Sequence, residues 1–187
     1  MKLKYSIPIV LLIFVLVISF LFLNQEKEYL DDENTLYAIK FDNLKIRFKR
    51  YDYALGQNQL VIVEKSIDNG KTYERITNEF ITVSMNPKFV FLSAELGFVI
   101  TKPNLTKENN YIGIKVTQDG GKTFIDGKIN YENSAIEILT VEEIPYYEKG
   151  VLKLHCSIYQ VKEDHTGYED IDLFFTSIDR GLTWNLE

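Results

Sequence analysis

The chain has 187 residues, with 21 Lys and Arg against 27 Asp and Glu, and its formal net charge is −6. This acidic balance lacks the basic footprint of a nucleic-acid-binding protein, so we expect no nucleic-acid partner. The single cysteine, Cys156, excludes an intramolecular disulfide. The fold must therefore be stabilised by its core, for which 12 Phe and 12 Tyr supply apolar surface.

Residues 1–23 predict a membrane anchor. Lys2 and Lys4 precede an apolar run over residues 7–23, and a helix of that length spans about 26 Å, close to the hydrocarbon thickness of a bilayer. The basic end favours a cytoplasmic N-terminus, with residues 24–187 extracytoplasmic. A cleaved signal peptide is the alternative. The run ends without an A-x-A-like cleavage site, which favours an uncleaved signal anchor.

The remainder predicts a short stalk followed by one all-β domain. Residues 24–34 are polar and acidic, and no Pro- or Ser-rich linker divides residues 35–187. In this domain short runs of β-branched and aromatic residues alternate with turn residues, which is typical of an all-β fold. The predicted strands form three units: 36–41, 44–50, 59–66 and 72–76; then 88–93, 98–101, 111–117 and 123–129; then 144–147, 151–159, 171–177 and a last strand at Trp184.

An eight-residue pattern, Ser/Thr-x-Asp-x-Gly-x-Thr-aromatic, ends the third strand of each unit and predicts a hairpin turn. We expect its Asp to accept hydrogen bonds from backbone N–H groups, its Gly to take a positive φ, and its aromatic residue to return to the core. The pattern residues are Ser66, Asp68, Gly70, Thr72 and Tyr73; Thr117, Asp119, Gly121, Thr123 and Phe124; and Ser177, Asp179, Gly181, Thr183 and Trp184.

This pattern resembles the Asp-box, or bacterial neuraminidase repeat, family of β-propellers, and the resemblance covers essentially all of 36–187. It implies three four-stranded antiparallel blades, with each box joining the third and fourth strands. It also implies that Asp68, Asp119 and Asp179 brace turns rather than bind calcium or act as acids. Because closed propellers have about four to eight blades, three blades leave both ends open. Two chains could pair their open ends as a homodimer with six blades; a compact three-bladed sandwich is the alternative.

The third unit resembles a sialidase blade but departs from it at one decisive position. Sialidases begin that blade with Arg-Ile-Pro, whose arginine binds the substrate carboxylate. Here the sequence is Glu143-Ile144-Pro145, and a carboxylate cannot form that pair and would repel an anionic sugar. The arginines of the chain do not form a convergent triad either; they are Arg47, Arg50, Arg75 and Arg180. Sialidase activity is therefore not expected.

Any binding site is expected opposite the boxes, in loops at 51–58, 102–110, 130–143 and 161–169. The candidate binding residues are Glu143, Tyr146, Tyr168 and Asp170. Glu142 and Glu143 stand beside aromatic residues, as the carboxylates of glycosidases do, but neighbours on a strand point to opposite faces. The same rule separates His155 from Cys156. The acidic run 163–170 lacks the ligand spacing of a calcium loop. We assign no catalytic residue, metal or cofactor.

Three functions from different classes remain. The first is a non-catalytic, membrane-anchored extracytoplasmic module that binds a protein or glycan, or serves in assembly. The second is a degenerate glycoside hydrolase that uses Glu142, Glu143 or Asp170. The third is a structural subunit of an envelope complex. The missing arginine favours the first, a function without catalysis.

Overall fold

The computed structural model describes residues 32–54, 58–101, 111–131, 138–161 and 167–187. The predicted anchor at 1–23, most of the stalk at 24–34 and the loop at 102–110 lie outside these residues. Among the described residues, no helix is long and apolar enough to cross a bilayer. All regular structure in these ranges is β-strand, which confirms the all-β fold class.

The strands fall into three consecutive units. The first contains β1 Thr35–Phe41, β2 Leu44–Ala54, β3 Asn58–Ser66, β4 Glu74–Arg75 and β5 Ile81–Val83. The second contains β6 Lys88–Phe91, β7 Gly97–Ile100, β8 Tyr111–Thr117 and β9 Ile125–Asn130. The third contains β10 Ile138–Val141, β11 Tyr146–Glu148, β12 Val151–Val161, β13 Tyr168–Ser177 and β14 Thr183–Leu186. Within each unit, neighbouring strands pair antiparallel, as expected.

Two short strands lie where no strand is predicted. β5 pairs with the first half of β3, next to the stretch of β3 that β4 occupies. β10 pairs with β12 from Ile138↔Tyr159 to Val141↔Cys156. The prediction of a loop throughout 130–143 is therefore wrong at 138–141. Both strands are too short for alternation of apolar and polar residues to identify them from sequence alone.

The second and third units share one nine-stranded sheet, which corrects the expectation of three separate four-stranded sheets. β9 and β14 both follow a box turn, run in the same direction and pair parallel, with Trp184 opposite Ile129. Lys128 N–H donates to Leu182 O at 2.8 Å beside this pair. The sheets are partly curled, so the shared sheet folds back on itself around a common core.

Two apolar cores lie on opposite faces of the second unit. In β7, Val99 points into a core shared with the first unit, whereas Phe98 points into a core shared with the third. Both side chains have no exposed surface. This arrangement follows from strand alternation, because adjacent residues project to opposite faces. The second unit is thus the central layer of the described domain.

Candidate functional site

The first box turn is closed by its own side chains. Gly70 N–H donates to Ser66 Oγ at 2.8 Å, and the Ser66 hydroxyl donates to Asp68 Oδ1 at 2.7 Å. Thr72 donates its backbone N–H to Asp68 Oδ1 at 2.9 Å and its hydroxyl to Oδ2 at 2.7 Å. Both carboxylate oxygens are therefore engaged within the turn, in the manner of an Asx turn.

The second and third boxes repeat this geometry. Gly121 N–H donates to Thr117 Oγ1 at 2.8 Å, and Gly181 N–H donates to Ser177 Oγ at the same distance. Asp119 Oδ1 accepts from Thr117, Lys122 and Thr123, while Asp179 Oδ1 accepts from Ser177 and Thr183. Each box lies between two consecutive antiparallel strands of its unit: β3 and β4, β8 and β9, and β13 and β14. One sequence pattern thus produces one turn three times.

Two consecutive residues in each box have positive φ. The glycines at the fifth position have φ of 90°, 96° and 90°; they are Gly70, Gly121 and Gly181. The sequence predicts this, but not that the fourth position is left-handed as well. There the three boxes carry Asn69, Gly120 and Arg180, with φ of 64°, 75° and 61°. Successive left-handed residues turn the chain tightly enough for the Asp to reach the Thr beyond the turn.

The bracing hydrogen bonds lower the pKa of the box carboxyls. For Asp68, the N–H of Thr72 is the main cause, aided by the hydroxyls of Ser66 and Thr72, and the pKa lies far below its usual range. Burial alone would raise the pKa of Asp119 and Asp179. The backbone and hydroxyl hydrogen bonds of the following Thr outweigh it and lower the pKa in both. Carboxyls held in the ionised form are poor proton donors at neutral pH.

The predicted binding residues do not form one site. Glu143 is exposed before β11, Tyr146 is half-buried opposite Lys153, and Asp170 is exposed on β13 opposite Tyr159. Tyr168 begins β13, and its side chain lies outside the described part of the chain. Only Glu143 belongs to a compact polar group.

That group lies on the outer face of β12 and β13. His155 Nε2 is 2.8 Å from Asp172 Oδ1, and its Nδ1 is 3.8 Å from Glu143 Oε1. The imidazole stacks on Phe174 with ring centroids 4.7 Å apart. We call this the acidic group. Strand alternation from the buried Cys156 and Phe175 was the signal that could have placed His155 and Phe174 together.

The two adjacent glutamates reach the same face, contrary to expectation. The Ser157 hydroxyl donates to Glu142 Oε1 at 2.5 Å, and Glu143 approaches His155. Both backbone N–H groups point at His155 O, at 3.0 and 3.4 Å. Residues 142–145 are not in a strand, so the rule that neighbours alternate does not apply to them. The paired carboxylates thus lie side by side on the surface.

Cys156 and His155 diverge as predicted. Cys156 is fully buried in the core of the third unit, and burial raises the pKa of its thiol to about 12, with a further contribution from Glu142. A thiol in this state is not a nucleophile at neutral pH. Among the residues that the structure describes, no three His, Cys, Asp or Glu side chains are grouped so as to hold a metal ion.

Each arginine is engaged within its own neighbourhood. Arg47 contacts Glu64 at 2.6 Å, and Arg50 donates to Gln59 Oε1 at 2.7 Å. Arg75 donates to Thr77 O at 3.0 Å and lies over the Phe80 ring, whereas Arg180 is 3.5 Å from Glu95. The first three belong to the first unit and the last belongs to the third box. No arginine triad forms in the described ranges.

The fold and the turns define an all-β protein built from repeated units with braced hairpins. No known family profile matches the chain, and no curated protein matches it at a significant level.

Proposed function

We propose that the chain is a non-catalytic, membrane-anchored extracytoplasmic module for binding or assembly, built on three Asp-box blades. The observation that carries the proposal is the identical bracing of the three boxes, in which the Asp carboxylates bind their own turns. Because these carboxylates accept hydrogen bonds within their own turns, they are not available as catalytic groups or as ligands. The repeated motif thus supports a scaffold.

The packing of the units supports the inference that they are propeller-like blades. The first unit packs on one face of the second, and the third packs on the other. In every unit the box joins two consecutive antiparallel strands. The parallel pair of β9 and β14 distinguishes this protein from a propeller with fully separate blades.

The proposal of a membrane anchor is tested by locating the chain in cells. We expect a C-terminally tagged full chain to remain in the membrane pellet after an alkaline carbonate wash. Protease added outside intact cells should remove the tag. Recovery in the soluble fraction, or a tag protected in intact cells and cleaved only after lysis, would contradict the proposal.

A degenerate glycoside hydrolase is the second candidate, and the side-by-side carboxylates Glu142 and Glu143 favour it. Two carboxylates acting together are the usual machinery of glycoside hydrolysis. Both, however, are exposed on a sheet face rather than enclosed. The full chain should be assayed on a panel of aryl glycosides, with Glu143→Gln and the exposed Glu79→Gln compared. Turnover lost only in Glu143→Gln would establish this candidate; an inactive wild type supports the non-catalytic proposal.

A further inference from the structure

We propose that the two end faces of the β domain bind each other between two copies of this chain, head to tail. The basic end face is the outer face of the first unit and includes Lys40, Arg47, Lys49, Tyr73 and Arg75. The acidic end face is the outer face of the third unit and includes Glu142, Glu143, Asp170, Asp172 and Phe174. This inference rests on the proposed assembly role and names its partner.

The units stack in one constant sense. The residue three positions before each box starts faces the next unit along the chain. Val63 in the first unit and Ile114 in the second are fully buried in the junctions that follow them. The equivalent residue in the third unit is Phe174, which is 43% exposed. Phe174 is therefore an apolar residue at the position that contacts the next unit, although no further unit of the described chain follows it.

The box aromatics repeat this order on the opposite side of each unit. Phe124 packs back on the first unit, with its ring centroid 6.1 Å from that of Phe48. Trp184 packs back on the second unit, 6.2 Å from Phe98. The equivalent aromatic in the first unit is Tyr73, which lies on the basic end face with the Arg47 guanidinium 3.7 Å from its ring centroid. Each end face thus carries a residue whose equivalents in the other units pack in the junctions between units: Tyr73 on the basic end face and Phe174 on the acidic end face.

The two end faces carry complementary charges. On the basic end face, Arg47 contacts Glu64 and Lys49 contacts Asp32, while Lys40 and Arg75 add positive charge. On the acidic end face, Lys153 contacts Glu148 and Glu187, and His155 contacts Asp172 and Glu143. Glu142 and Asp170 add negative charge. Opposite potentials favour a contact between unlike faces and disfavour contacts between like faces. The contact we infer is therefore heterologous.

Closure follows from the number of units. A heterologous contact forms a ring if its rotation closes and a filament if it does not. The described residues of two copies together contain six units, within the range of about four to eight blades that closed propellers contain. A second copy is therefore the occupant that matches both end faces at once.

The test is sedimentation velocity of the full chain in density-matched detergent. We expect a dimer for the wild type. The double variant Lys49→Glu/Arg75→Glu, which reverses the basic end face, should weaken self-association at least about tenfold, and so should Glu143→Lys/Asp172→Lys on the acidic end face. The control Lys71→Glu/Lys122→Glu reverses the same charges on exposed box turns and should leave the dimer unchanged.

Mixing the two defective variants distinguishes the proposed contact from symmetric ones. In an equimolar mixture, the intact acidic face of one variant meets the intact basic face of the other, and the two reversed faces also carry opposite charges, so the dimer should reappear. Contacts between like faces would instead leave one double variant dimeric by itself. The emission maximum of Trp184 should stay unchanged in every variant, since this residue is buried in the core between the second and third units.

A monomeric wild type, or a mixture that fails to reassociate, would overturn the inference, and oligomers longer than two would overturn ring closure. These outcomes differ from failure of the proposed function. That failure would be seen as glycoside turnover or as a chain outside the membrane fraction.

Discussion

Single residues at the fourth position of each box hold an unfavourable backbone conformation. The left-handed region costs an ordinary residue roughly 1 kcal/mol, whereas Gly adopts it freely and Asn tolerates it. Gly120 and Asn69 suit the position, but Arg180 does not. Its contact with Glu95 at 3.5 Å lies at the exposed surface and offsets little of that cost.

We expect Arg180→Asn to stabilise the protein by about 0.5 kcal/mol, because Asn adopts the left-handed conformation with less strain than Arg. Unlike Gly, Asn does not increase the conformational entropy of the unfolded chain. The measurement is chemical denaturation monitored by Trp184 fluorescence. Lys122→Asn, at an exposed position of the second box outside the positive-φ pair, should change the free energy of unfolding by less. A destabilised Arg180→Asn would show that the Glu95 contact matters more than strain.

Two glycines with positive φ, Gly150 and Gly181, allow the cost of backbone strain to be separated from the cost of a steric clash. Gly181 has φ of 90°, and a Cβ there would lie 2.4 Å from Phe98 Cε1 in the core. Gly150 has φ of 82°, and a Cβ there would meet no atom within 4 Å. We expect Gly150→Ala to cost about 1 kcal/mol and Gly181→Ala about 3 kcal/mol or more, measured by thermal and chemical unfolding. Equal costs would mean that the backbone alone sets the requirement for glycine.

At the level of the hairpin, the ionised Asp carboxylate of the box stabilises the turn. The folded pKa of Asp119 and Asp179 lies below the ordinary value of 3.8, so folding favours the ionised form. The stabilisation is complete above the unfolded pKa and is lost as pH falls through the folded pKa. We therefore expect the free energy of unfolding to decrease from about pH 5 towards pH 2. Denaturant titrations across this range measure it.

Asp119→Asn tests directly whether the ionised carboxylate stabilises the turn. The amide keeps one acceptor oxygen, but it loses the charge and the second acceptor that binds the Thr123 hydroxyl at 2.7 Å. We expect a loss of about 1 kcal/mol at pH 7, moderated by the exposure of the group, and a weaker dependence on pH below 5. The exposed Glu79→Gln serves as the matched control. An Asp119→Asn protein with wild-type stability and pH slope would contradict the bracing role.

For the whole molecule, the central position of the second unit predicts cooperative unfolding. Val99 lies in the core shared with the first unit, whereas the probe Trp184 lies in the other core. We expect Val99→Ala to cost about 1–3 kcal/mol and to lower the midpoint seen by Trp184 fluorescence and by far-UV circular dichroism equally. Val151→Ala, half-buried in the same unit as Trp184, should cost less. A fluorescence midpoint insensitive to Val99→Ala would show that the units unfold separately.

Much of the fold could be predicted from local sequence. The predicted strand at 111–117 matches β8, and the three box turns lie between the strands expected. The two strands that the sequence does not predict share a physical cause: β5 and β10 are short, and each pairs with a strand that is not its neighbour in the chain, β3 and β12 respectively. The acidic group was missed for a related reason. His155, Asp172 and Glu143 come from separate segments, and only strand register brings them together.

The all-β class, the hairpin turns and their bracing follow from local sequence, because they depend on alternation within a strand and on hydrogen bonds that span at most four residues. Three features come instead from the packing of the sheets: the parallel pairing of β9 with β14, the burial of both faces of the second unit and the contrast between the two end faces. Those features depend on which sheets pack together, and non-local packing minimises exposed apolar area over the whole domain rather than within any one segment.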